Sequence, residues 1–415
     1  MRKALPQLLS WMPALTALGI PLHPRLSALS LGIWAALALA SAFFGVVKTN
    51  PESSSSKPPI AFRWIAFGSW VYYVCLLLGM LWTSNASQGW FALEVKFSFL
   101  LLPILFWQMN LLKDESWKAK ASSAFQWGLL IFLISRVGHA LWHQDWSMMR
   151  YGGFAGDFHP SYMAFYLITG ILYASSGDRI GKVLLLVAGL AIGLLASKAG
   201  WGCGAIVIVI ELTRRHRRAK GESIFLAASV ASLILGAVWA DGGRLQEFQT
   251  FMRGPSGAVE QTTRTSAERQ MSQTLKQEKS IPKTGSTGGR LQAWSASIDL
   301  IAQHPFGVGT GDVSEALMTV YKREGALYAQ QKNMNPHSVW LLAGVRLGWA
   351  VLLGMLIWWG GLFVVALKMK NQLLAVWCIA FMLNATVESF FELQQGVVAV
   401  LFLGLLFASH HQNRR

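Results

Sequence analysis

From Leu26 to Val47 the chain runs for 22 residues without an ionisable side chain, and residues 349–367 repeat the pattern near the other end. A helix rising about 1.5 Å per residue needs roughly 20 such residues to cross a hydrocarbon core of about 30 Å. Comparable runs, bounded by polar residues or by Pro and Gly, fall near 5–20, 26–47, 62–83, 90–112, 121–142, 158–174, 180–197, 200–212, 223–240, 349–368, 373–391 and 396–410. They predict an all-α polytopic membrane protein of about 12 transmembrane helices. With 53% of residues hydrophobic and 13% charged, a soluble domain is excluded. The expected organisation is spans 1–9 over residues 1–240, one large loop over 241–348, and spans 10–12 over 349–415.

The net charge of +16 does not call for nucleic acid, because the cations lie between the apolar runs. Arg2 and Lys3 precede the first run; Lys48, Lys57 and Arg63 follow the second; Lys113, Lys118 and Lys120 follow the fourth. Arg179 and Lys182, the cluster from Arg214 to Lys220, Lys368 with Lys370, and Arg414 with Arg415 continue the alternation. By the positive-inside rule both termini are cytoplasmic and the loop between spans 9 and 10 faces outward. The first run follows two basic residues but shows no small-x-small cleavage site, so it reads as a retained span. The same logic makes residues 183–212 a hairpin with its tip at Ala196–Gly202. The descending half, to about residue 212, is short for a full crossing.

Charged and imidazole groups within apolar runs are costly and therefore informative. Here they gather toward the outer side: Glu94, Lys96, Arg136, His139, His143, His159, Lys198, Glu388 and Glu392. Taken singly, each can be a snorkelling side chain or a structural ion pair, such as Glu94 with Lys96. Together they describe a cationic, outward-facing hollow suited to an anionic lipid headgroup. Glycines 200, 202 and 204 behind Lys198 serve either close helix packing or anion binding.

The loop divides by composition. Residues 254–289 are polar, rich in Ser, Thr and Gln, and carry Arg264 and Arg269 without an apolar stripe. Arg290 then opens a segment in which Leu291, Trp294, Ile298 and Ile301 predict an amphipathic helix stopped by Pro305. Glycines 307, 309 and 311 read as a tight turn, since no Gly-Lys-Ser/Thr follows them. Cys75, Cys203 and Cys378 have no paired spacing, and neither Asp-x-Asp nor His-Glu-x-x-His occurs, so no disulfide, metal or other cofactor is expected. In "NMNPHSVW" Asn335 suits an N-cap and Pro336 the first helical position, which puts His337 in a first turn whose field disfavours imidazolium. A histidine kept neutral can accept a proton as a general base; a satisfied structural histidine is the alternative.

The order Arg290, "LIAQHPFGVGTGD", then "NPHSVWLLAGVRLG" leading into the last spans resembles the O-antigen ligase and polymerase superfamily, specifically its lipopolysaccharide ligases. That resemblance implies a metal-independent membrane glycosyltransferase of GT-C-like fold in the bacterial inner membrane, its site facing the periplasm. It implies a glycan donor on undecaprenyl pyrophosphate, a lipid A-core hydroxyl as acceptor, and membrane lipids as surroundings, with no nucleic acid. It also implies His337 as base and Arg290 as principal clamp on the departing pyrophosphate, with Lys198, Arg136, Arg264 and Arg269 as further candidates. The family's Ser-Arg-small element stands here as Ser197-Lys198-Ala199, and a lysine lacks the bidentate fork of arginine. Rival readings are an O-antigen polymerase, a protein O-oligosaccharyltransferase and, outside enzymes, a lipid or anion transporter.

Overall fold

The computed structural model describes residues 4–45, 58–110, 116–174, 179–216, 220–240 and 286–409. Among them all regular structure is helical. The N-terminal half carries α1 (Ala4–Leu22), α2 (Pro24–Phe43), α3 (Ile60–Gly79), α4 (Ala86–Lys96), α5 (Ser98–Asn110) and α6 (Ser116–His143). There follow α7 (Tyr151–Ala155), α8 (Pro160–Tyr173), α9 (Arg179–Leu194), α10 (Lys198–His216) and α11 (Lys220–Ala240). Beyond residue 285 come α12 (Ser286–Gln303), α13 (Val313–Glu324), α14 (Leu327–Gln331), α15 (Val339–Leu347), α16 (Trp349–Lys368), α17 (Gln372–Val387) and α18 (Gln394–Ser409).

Among the described residues each predicted apolar run falls on helix, the run 90–112 being divided between α4 and α5. Among the described residues six stretches are long and apolar enough to cross a membrane: Leu5–Leu22, Pro24–Phe43, Ile60–Trp82, Ala86–Met109, Ser116–His143 and Trp349–Lys368. Shorter apolar helices are Val183–Leu194, Ala227–Ala240, Gln372–Val387 and Gln394–Ser409. Helix α18 is buried on all sides from Gly396 to Ser409, and α8 from Pro160 to Leu172, so these two apolar helices form the axis of the bundle. The outside is equally apolar: Leu39, Phe67, Leu235 and Ile357 are 68–72% exposed. Lipid, not water, is the solvent for which such a surface is matched.

Between α9 and α10 the chain turns at residues 195–197, with Ala196 in the left-handed region at φ +46°. The indole of Trp201 donates to the Gly193 carbonyl at 3.0 Å, across the turn. Gly204 passes Ile192 so closely that a Cβ would lie 3.2 Å from it. The reversal predicted there is present, but α10 continues for 19 residues into the basic cluster and is no half-helix. Gly200 lets the helix approach Ala164, where a Cβ would lie 2.7 Å away, so at least this glycine serves packing.

Helices α12 to α15 close over a second small core of Ala293, Ala296, Leu300, Leu317, Val320 and Tyr321. This corrects the expected stripe: Leu291 and Ile298 are 44% and 58% exposed, and α12 buries instead the face of small residues one position around. Small side chains allow the helix to lie close to its neighbours, which the bulky stripe would have prevented. The glycine-rich turn after α12 is a structural tie. Val308 and Gly309 donate to the carbonyls of Val345 and Arg346 at 2.9 and 3.1 Å, and Thr310 Oγ1 donates to Leu76 O at 2.7 Å. Asp312 accepts from the backbone N–H groups of Ser84 and Asn85, both at 2.7 Å. The turn thus joins the C-terminal ends of α3 and α15 to the start of α4.

Candidate active site

The site is built where α12, the segment 328–337 and the break between α17 and α18 meet. Trp294, one turn beyond Arg290, donates its indole N–H to the carbonyl of Pro336 at 2.7 Å. Gly289 lies against the Tyr328 ring, and a Cβ there would come within 2.5 Å of it. These two contacts bring the Arg290 turn of α12 beside His337. Arg290 and His337 line one cavity of about 400 Å³, together with Tyr151, His159, Tyr328, Lys332, Asn333, Met334 and Asn335. Tyr151, Asn333 and His337 all have positive φ, at 47°, 44° and 45°. Left-handed backbone at residues with a Cβ costs on the order of 1–2 kcal/mol each, and such strain concentrates at functional sites.

His337 is not in a helix. Ser338 is the N-cap of α15, accepting from Leu341 N, and the helix starts at Val339. Asn335 caps locally: its Oδ1 accepts from His337 N at 2.8 Å and from Ser389 Oγ at 3.1 Å. The expectation of His337 in a first helical turn is therefore corrected, because the side chain of Asn335 holds a tight turn ahead of the helix. What faces His337 Nδ1 is Glu388 Oε1, at 3.5 Å, from the connection 388–393 that follows α17. The other oxygen, Oε2, lies 3.2 Å from His159 Nδ1. His159 also caps α8, its Nδ1 receiving Ser161 N at 3.4 Å, so the nitrogen nearest the carboxylate is claimed twice. For His337, Glu388 is the acceptor that fits Nδ1–H, a tautomer inferred from the network; Nε2 then carries the lone pair.

Glu388 is 5% exposed in its side chain. Burial pushes its carboxyl up, but the hydrogen-bonded His159 and His337 outweigh that and hold it well below the ordinary carboxylate range. Four residues on, Glu392 takes a bidentate pair from Arg346, both bonds at 2.8 Å, and a third contact from Lys96 Nζ at 3.1 Å. Here too burial is opposed, and the two cations keep the Glu392 carboxyl far below its usual value. Lys96 and Arg346 are 1% and 4% exposed, so Lys96 pairs with Glu392 across the fold, while Glu94 is exposed. The triad lines a second cavity of about 160 Å³, which shares the wall Asn333–Met334–Asn335 with the first.

The other predicted cations stand elsewhere. Lys198 donates from Nζ to Thr287 Oγ1 at 3.0 Å, one turn before Arg290, so it sits at the end of α12 beside the cavity wall. Arg136 packs its guanidinium 5.9 Å from the Phe132 ring centre and over Gly156, which has φ +63° and no Cβ to obstruct it. Neither is among the residues lining the two cavities. Arg264 and Arg269 lie outside the described residues. Sequence reasoning gave no role to Tyr151, Tyr328, Lys332 or Asn333, and no local pattern could have flagged them. Glu388 and His159 stood out as costly residues without their mutual contact being legible.

Residues 183–356 match the family model described as O-antigen ligase. That match supports membership of the O-antigen ligase superfamily. A search of curated proteins finds no match. The matched segment contains Arg290 and His337, while Lys96, His159, Glu388 and Glu392 are contributed from outside it. With helices of membrane-crossing length, the match fits a helical membrane protein similar to the O-antigen ligases.

Proposed function

We propose that the protein is a lipopolysaccharide O-antigen ligase of GT-C-like architecture with about 12 spans. It transfers a glycan from undecaprenyl pyrophosphate to a hydroxyl of lipid A-core. Its site faces the periplasm, where the outward segment 241–348 meets Tyr151, His159 and Glu388, and both termini are cytoplasmic. The observation that carries the reading is the shared cavity of Arg290 and His337 with a buried carboxylate behind the imidazole.

In this reading His337 Nε2 takes the proton of the acceptor hydroxyl as its oxygen attacks the anomeric carbon. Glu388, on Nδ1, stabilises the imidazolium that forms. The bond from the anomeric carbon to the pyrophosphate oxygen breaks, and the departing charge is met by Arg290, with Lys332 on the same wall. One displacement inverts the anomeric centre. Lys198, Arg136, Arg264 and Arg269 remain candidates for longer-range attraction of the pyrophosphate. No step calls on a metal, so activity should persist in EDTA; activity lost in EDTA and restored by magnesium would contradict this.

The decisive experiment is reconstitution with lipid-linked glycan and rough lipopolysaccharide. The expected product is glycan-capped lipid A-core. Lengthened lipid-linked polymer without capping would make the protein a polymerase, glycan attached to protein a protein O-oligosaccharyltransferase, and no covalent product a transporter.

A further inference from the structure

His159 and His337 stand on different parts of the chain, one just before α8 and the other just before α15, yet both line the cavity of about 400 Å³ and both turn Nδ1 toward Glu388. The transfer chemistry above uses only His337. The last torsion of a glutamate is soft, with broad and two-fold minima, so a carboxylate held at one oxygen still swings about its final carbon–carbon bond. Glu388 Oε1 accepts from Ser389 N–H at 3.1 Å and faces His337 at 3.5 Å. Oε2 is buried, and among the described residues it has no hydrogen-bond partner unless His159 supplies one, from Nδ1 at 3.2 Å.

The place of the His159 imidazole is set by other contacts. Pro160 occupies the first position of α8, Tyr162 and Met163 donate N–H to the His159 carbonyl at 2.9 and 3.2 Å, and Ser161 Oγ meets Ser197 Oγ at 3.1 Å. In the same turn the Tyr162 hydroxyl donates to Ser389 O at 2.9 Å, and its ring stacks on Phe390 with centroids 4.7 Å apart. The start of α8 is thus packed directly on the connection that carries Glu388. His159 Nδ1 then has two claimants. As an acceptor it receives Ser161 N–H at 3.4 Å, longer than the usual range of about 2.7–3.2 Å. As a donor it meets the carboxylate at 3.2 Å, and a hydrogen bond to an ion is roughly twice as strong as one between neutral groups. A buried charged oxygen left without a donor also costs more than an amide left without an acceptor. The proton therefore belongs on Nδ1.

Resting on the ligase reading above, we propose that His159 is a positioning residue for the general base. Its Nδ1–H fixes Oε2 while Ser389 N–H fixes Oε1, and a carboxylate held at both oxygens presents Oε1 steadily to His337 Nδ1. Nε2 of His337 is thereby kept as the basic nitrogen, and His159 takes no part in the proton transfer itself.

Serine and asparagine separate this role from helix capping. Both cap a helix start well, but only asparagine puts an N–H donor on the atom that replaces Nδ1, the serine hydroxyl being one bond shorter. In the reconstituted assay His159→Ser should lower kcat about tenfold with KM nearly unchanged, and His159→Asn should recover most of that loss, both variants keeping the native thermal midpoint. Native turnover in His159→Ser, or equal losses in the two variants, would overturn the proposal. A second measurement needs no turnover: nitrogen NMR of the histidine-labelled full-length protein in bilayers, with the His159 signals assigned by their absence from His159→Asn, should show Nδ1 protonated. A bare Nδ1 would mean that His159 only caps α8, and the proposal falls. If the native protein ligates nothing while His159 Nδ1 carries its proton, the ligase reading is rejected and the contact with Glu388 stands.

Discussion

His337 is defined by what stands behind it. Its Nδ1 faces Glu388, and a carboxylate accepts only, so Nδ1 keeps the proton and Nε2 is left basic. Replacing Glu388 by Gln offers an amide N–H to Nδ1 and favours the opposite tautomer; ligation should fall by about 10²-fold or more while expression is retained. His337→Ala should remove general-base catalysis, a loss of about 10²–10⁴-fold measured as initial rate in the reconstituted assay. Near-native rates in both would take the imidazole out of the chemistry. Arg290 is a test of geometry as well as charge: Arg290→Lys keeps the cation but loses the planar fork, so turnover should remain well below native. The sequence allowed His337 and Arg290 to be singled out, but not their shared cavity, because 46 positions separate them and Gly289, Trp294 and Pro336 bring them together.

At the level of elements, the glycine-rich turn shows how one connection sets several helix ends. Asp312 holds two backbone N–H groups at the start of α4, and Gly307 has φ +77° with a Cβ position 2.4 Å from the Arg346 carbonyl. Asp312→Ala removes two charge-assisted hydrogen bonds and should cost about 2–3 kcal/mol, read as a lowered midpoint of thermal unfolding in detergent. Its effect on rate should be indirect, because α4 carries Lys96 toward Glu392. An unchanged midpoint would show that the tie is not limiting. The helices were legible because apolar length is a property of a contiguous stretch. The caps were less so: Asn335 and Ser338 are both capping residues, and which one starts a helix depends on Ser389 reaching Asn335 from another part of the chain.

Across the whole molecule, the two glutamates that follow α17 join four distant parts of the chain. Glu392 is 26% exposed in its side chain and balances two almost fully buried cations. Glu392→Gln should leave them uncompensated and cost about 3 kcal/mol, seen as a drop in thermal midpoint. Both carboxyls are depressed in the folded state, so the stability they contribute is complete above the unfolded carboxylate value of about 4.3 and is lost as pH falls through their lower folded values. The gap in midpoint between the native protein and Glu388→Gln or Glu392→Gln should accordingly be constant from about pH 6 to 8 and shrink on acidification below about pH 4. A gap that widens in acid would reverse the assignment.

The amino-acid sequence determined the helical class and the position of each apolar run, since hydrophobic length needs no partner to be read. It also supplied the residue types able to perform transfer: an imidazole, guanidinium groups and carboxylates in otherwise apolar surroundings. Only the tertiary structure decided which of them meet. Lys96 passes over the adjacent Glu94 for Glu392, and His337 takes its carboxylate from 51 residues further on. Electrostatic pairing in a low-dielectric interior depends on distance in space, and the packing of α8, α12, α15 and α17 fixes that distance where neighbouring positions in the chain cannot.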